Sequence, residues 1–104
     1  FQKNVIIRKS ICEGFQINCY TFLQPFPYIS GNFEKNILLR GSTNKEIEFK
    51  KKYQLLKVAN NIFDITSALD NMQELSYVDA GHYSPKASAV IAETIYMKIL
   101  RDLN

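Results

Sequence analysis

Between Ser84 and Leu103 the chain spells out a helix together with its start signal. Ser84 is a residue type that caps helix N-termini, and Pro85 suits the first helical position, where no backbone N–H is needed. Ala87, Val90, Ile91, Ile95 and Ile99, with Leu103 near the end, then recur at helical spacing as a buried stripe. A helix apolar along one face has to cover something. The short apolar runs upstream are the candidates for what it covers.

Those runs alternate with helical patterns. Val5-Ile6-Ile7, Ile11 and Phe15 recur at near-helical intervals, and Gly14 is placed to end a first helix. Asn18 to Gln24 is rich in aromatic and β-favouring residues and stops at Pro25, which predicts a buried strand. Pro25 to Asn32 reads as a loop dense in proline, glycine and aromatics, and Ile37-Leu38-Leu39 fits either a short strand or a helical turn. Thr43-Asn44-Lys45-Glu46 matches a capping box, opening a helix with Phe49, Tyr53, Leu56 and Ala59 on one face. Glu46 with Lys50 and Glu48 with Lys52 form favourably oriented i,i+4 pairs on that helix. Asn61 to Thr66 alternates apolar and polar residues as a second short strand, and a polar stretch then leads to Tyr77-Val78. Helix, strand, helix, strand, helix is the rhythm of an α/β protein with a parallel sheet. Two strands are few for a complete doubly wound sheet, so the expectation is the C-terminal part of one.

Size and charge narrow the function classes. The 104 residues suit one domain or part of one. With 46% hydrophobic and 22% charged residues, the composition is that of an ordinary globular protein. A formal net charge of +3 does not call for nucleic acid, and Lys50-Lys51-Lys52 sits in a helical pattern as a solvated face. Cys12 and Cys19 are too few for a disulfide framework and lack metal-ligand spacing; their apolar surroundings predict buried free thiols. They leave the compartment open. One histidine with two separated cysteines makes no zinc site, so no metal or other cofactor is expected. No apolar run reaches the ~18 residues of a membrane helix. The opening Phe1-Gln2-Lys3 lacks an initiator methionine, as expected of a chain cut or processed from something longer.

The chemistry concentrates at Asp79-Ala80-Gly81-His82. The protein's only histidine stands three residues after a carboxylate, at the mouth of the last helix. Imidazole titrates near neutrality, so a fixed histidine can act as general base, and a carboxylate beside it can orient the ring. Asp-Ala-Gly is also ordinary turn chemistry, which is the structural alternative for Asp79. No convincing nucleophile accompanies the pair. Ser42, in Leu38-Leu39-Arg40-Gly41-Ser42, loosely mimics a strand-turn-helix nucleophile, but its flanks match neither Gly-x-Ser-x-Gly nor Gly-Asp-Ser. Helix-start chemistry explains Ser42 and Thr43 adequately.

Asp79-x-x-His82 followed by Ser84 and the Ile91-Ala92 helix resembles the final block of SGNH (GDSL-type) hydrolases. Phe22-Leu23-Gln24-Pro25 is similar to the buried strand ending in Gln-Pro that precedes a long loop in many of these enzymes. Asn61 to Thr66 falls where family members have a short strand ahead of the catalytic loop, so the likeness spans Asn18 to Leu103. Two departures stand out. Ala87 occupies a position where the family often has glycine, a conservative change. The family's first three blocks, with the nucleophilic serine and the glycine and asparagine of the oxyanion hole, are absent and would lie upstream of Phe1.

The resemblance implies that residues 1–104 are the C-terminal portion of a single SGNH-hydrolase-like domain, a three-layer α/β/α sandwich with a parallel sheet whose N-terminal strands are missing. It implies a carboxyl-ester hydrolase, esterase or acyl-transfer enzyme, with His82 as base and Asp79 as orienter. The partner would be a small-molecule, carbohydrate or lipid ester, and the isolated piece would be inactive. Phe26, Tyr28 and Phe33 would line its pocket or pack the missing half. The alternative is a non-catalytic α/β module that binds a partner through the aromatic loop 25–33. A cut sheet edge would also allow a dimer of no biological meaning.

Overall fold

A computed structural model describes residues 2–27, 43–57, 62–79 and 81–104. Among them the order is α1 (Gln2–Gly14), β1 (Phe22–Leu23), α2 (Thr43–Lys57), β2 (Phe63–Asp64) and α3 (Pro85–Leu103). β1 and β2 pair in parallel, Phe22 opposite Phe63 and Leu23 opposite Asp64. The chain is thus a mixed α/β structure with a two-stranded parallel sheet among the described residues. Both strands are shorter than the 18–24 and 61–66 runs expected of them. The pairing is extended by backbone bonds from Phe63 N to Thr21 O and from Ile65 N to Leu23 O.

The core lies under the amino half of α3. Ile65, Leu69, Met72, Tyr77, Ala87 and Ile91 form it, with Phe22, Tyr83, Val90 and Ile95 packed around. Ser84 caps α3 as its sequence predicts: its side chain accepts the Ala87 N–H at 3.2 Å, and proline occupies the first turn. Leu103, expected on the buried stripe, is exposed. The segment after β2, read as polar from sequence, delivers Leu69 and Met72 to the core. Asp64 starts this by accepting from Thr66 N and Thr66 Oγ1, at 2.9 and 2.7 Å. Successive i→i−3 bonds from Ala68, Asp70 and Met72 then coil the chain tightly, and Ile65, Leu69 and Met72 are buried.

α2 runs over the span expected of it, and Phe49 and Tyr53 gather around Phe26 with ring centroids 4.8 and 6.2 Å apart. Lys50, Lys51 and Lys52 are exposed, and Lys52 donates to Glu48 at 2.6 Å. Ala59, the loop from 28 to 33, the 37–39 run and Ser42 lie outside the described residues, as do the side chains of Thr43 and Glu46. Among the described residues no helix is long and apolar enough to cross a membrane.

The cysteines correct the sequence reading. Cys12 and Cys19 are joined in a disulfide, and neither is free. α1 ends at Gly14, as its sequence predicts, and the residue that reverses the chain beyond it is Gln16, at φ 54°. Gln16 N donates to Glu13 O and Ile17 N to Cys12 O, the paired bonds that close a helix through a left-handed residue. That conformation costs a non-glycine residue roughly 1–2 kcal/mol. The disulfide encloses this turn and holds it closed. Cys12 is also the single buried residue described on α1, whose Ile6, Ile7 and Ile11 face outward.

Replacing both Cys12 and Cys19 by serine should therefore lower stability by about 2–3 kcal/mol, the entropy of so short a closed loop plus the released turn. Urea unfolding of the two proteins measures it; an unchanged midpoint would mean that the bridge does not hold α1.

Candidate functional site

Asp79 and His82 sit at the tip of a tight loop whose stem is fixed by backbone. Tyr77 and Tyr83 form an antiparallel bridge. Val78 N donates to His82 O at 3.0 Å, and Ser84 N to Ser76 O at 2.9 Å. The stem's aromatic rings lie 5.4 Å apart, tilted. Because Ser84 is also the cap of α3, the loop is continuous with the helix start.

A carboxylate organises the tip. Asp79 Oδ1 accepts from Gly81 N at 2.7 Å and from His82 N at 2.8 Å. The same group meets the ring: His82 Nδ1 lies 2.9 Å from Oδ1 and 2.8 Å from Oδ2. Turn residue and ring partner, alternatives at the sequence level, are thus both realised by one side chain. The Gly81 N–H first, then the His82 ring, hold the Asp79 carboxyl below its ordinary value of 3.8. An ionised carboxylate only accepts, so Nδ1 carries the proton of this contact. In the neutral ring that leaves Nε2 as an open acceptor. Both side chains face water, His82 being 78% and Asp79 55% exposed. An ion pair so exposed adds little to stability.

Tyr83, which the sequence reading passed over, ties this loop to the sheet. Its hydroxyl donates to Pro25 O, two residues beyond the end of β1. Burial, with Tyr77 and Tyr53 nearby, pushes its phenol well above the ordinary range, so it remains a donor. The anchor ties the residue after His82 to the chain two residues past the carboxyl end of β1. An aromatic directly after the histidine was the available signal. Ser84 Oγ is occupied by its cap bond. Lys86 reaches across to Glu74, bracing the helix start from outside. No three His, Cys, Asp or Glu side chains among the described residues are grouped to hold a metal.

Comparisons with protein-family models, curated proteins and solved structures each found no match to this chain.

Because the Asp79 carboxyl is held below 3.8, its contribution is complete above that value and lost as pH falls through the lower folded one. The Gly81 and His82 amide resonances should keep their hydrogen-bonded shifts down to that range and lose them below it. In Asp79→Asn this transition should vanish. Amide shifts followed by NMR against pH decide it; a wild-type transition at or above the ordinary value would contradict the carboxylate's role.

Proposed function

We propose that the chain is the C-terminal part of an SGNH-type ester hydrolase domain, a three-layer α/β/α sandwich, and that it supplies the base and its orienting acid. The observation that supports this reading is the contact of both Asp79 oxygens with His82 Nδ1, at 2.9 and 2.8 Å. It turns Nε2 into the free base of the ring. The exposure of His82 leaves that nitrogen reachable by a nucleophile brought from another part of the domain. The tie from the Tyr83 hydroxyl to Pro25 O, just past the end of β1, supports a site on the carboxyl side of the strands.

In this proposal a serine from the absent blocks attacks the ester carbonyl while Nε2 takes its proton. The imidazolium is stabilised by Asp79. Donors outside this chain bind the tetrahedral oxyanion. When the alcohol leaves, the imidazolium returns the proton to it. Water then repeats the sequence against the acyl-enzyme, with Nε2 again the base, releasing the acid and the free serine. The substrate class is a carboxyl ester of a small molecule, carbohydrate or lipid.

The test is hydrolysis of short-chain p-nitrophenyl esters by the polypeptide that includes the upstream blocks. His82→Ala should lower kcat by roughly 10³-fold or more with the far-UV spectrum unchanged. The 104 residues alone should give no turnover above their own His82→Ala control. Full activity of the longer His82→Ala protein, or turnover by the 104 residues, would overturn the assignment.

A further inference from the structure

The local costs of the fold gather around one covalent bond. Among the described residues, the buried polar side-chain atoms without a hydrogen-bond partner are Arg8 Nε and Thr21 Oγ1. The non-glycine residue with a left-handed backbone is Gln16. Arg8 lies on α1 one turn before Cys12, Gln16 lies inside the disulfide loop, and Thr21 follows Cys19 by two residues. A buried donor left unmade and a left-handed residue with a side chain each oppose the arrangement that imposes them.

Little packing offsets these costs. Cys12 is the single buried residue described on α1, while Ile6, Ile7 and Ile11 are exposed. Between the helix and the Tyr20 and Phe63 rings lies a cavity of about 650 Å³, lined also by Arg8 and by both cysteines. A helix of 13 residues is marginal on its own in water. The disulfide therefore carries the position of α1. It is also within reach of an outside thiol, because Cys19 is an exposed residue.

We propose that the Cys12–Cys19 bridge is a redox clasp. A dithiol reductant opens it, α1 leaves the sheet, and the Tyr20–Phe63 face is uncovered, while α3 and the 76–84 loop stay in place. In the reaction one thiolate of the dithiol attacks Cys19 Sγ, and Cys12 leaves as a thiolate. The second thiolate then attacks the dithiol's own sulfur in the mixed disulfide and displaces Cys19. The reductant gives up two electrons and ends as a disulfide; its two protons pass through solvent to the cysteines. Once released, Arg8 turns to water and Gln16 relaxes to an ordinary backbone. α3 keeps its own support, Ala87 and Ile91 against Ile65, Leu69, Met72 and Tyr77. The 76–84 loop keeps the Tyr77–Tyr83 bridge and the Ser84 cap, so the clasp stands apart from the ester reading.

Dithiothreitol is the probe, added to the isotope-labelled 104-residue chain and followed by backbone NMR shifts. Reduction should take the helical shifts of residues 2–14 to near random-coil values and leave those of residues 76–100 in place. Helical shifts kept over residues 2–14, with both thiols shown free by alkylation, would overturn the proposal. So would loss of the α3 shifts together with those of α1, which would make the bridge a support of the whole fold. A variant measures the cost that opening releases. Gln16→Gly accepts the left-handed backbone without a side-chain penalty, so the equilibrium against reduced and oxidised dithiothreitol should move toward the protein disulfide by about fivefold. An equilibrium unchanged, or moved toward the thiols, would contradict a clasp closed against local strain.

Discussion

α3 can approach the turns after β2 because the residue at the contact is small. Ala87 is closed to solvent, and Ile91 one turn later is almost so; they meet Ile65, Leu69, Met72 and Tyr77. Full burial of side chains such as Ile65 and Leu69 is worth roughly 1.5–3 kcal/mol each, which makes this packing the firmest part of the molecule. A larger residue at 87 would push the helix start outward. Everything placed by that start would move with it: the Ser84 cap, the Tyr77–Tyr83 bridge and the loop tip.

α1 is held on other terms. Its outer residues are apolar and exposed, and its inner face buries only Cys12 among those described. The link to the sheet is covalent, through Cys19 to the residues leading into β1. The same link tolerates a left-handed Gln16 that an untethered helix end would more comfortably give to glycine. Two kinds of adhesion therefore operate among the described residues. Packing and capping hold the α3 start that carries the Asp79–His82 loop, and a disulfide holds α1 to the residues leading into β1.

Local chemistry was legible in the sequence, and contacts across the chain were not. The Ser84-Pro85 start, the spans of α1 and α2 and the parallel pairing follow from caps, periodicity and the order of elements. So does the Asp79–His82 contact, since three residues of turn bring both side chains to one side. The disulfide was missed because two cysteines seven apart have no partner logic until the helix end is known to reverse through Gln16. Leu69 and Met72 were hidden in a polar stretch because consecutive tight turns have neither the strand nor the helix period. Tyr83 was overlooked because its partner, Pro25, is 58 residues away.

One proton decides what the pair can do. If Asp79 serves as both turn former and ring partner, the neutral His82 imidazole must hold its hydrogen on Nδ1, with Nε2 bare. Long-range ¹H–¹⁵N correlation of the one histidine, recorded at a pH where the ring is neutral, reads this tautomer directly. The protonated nitrogen should be Nδ1 in the wild type, and Asp79→Asn should shift the balance toward Nε2. A wild-type ring with its proton on Nε2, unchanged by Asp79→Asn, would contradict the positioning on which the proposed chemistry rests.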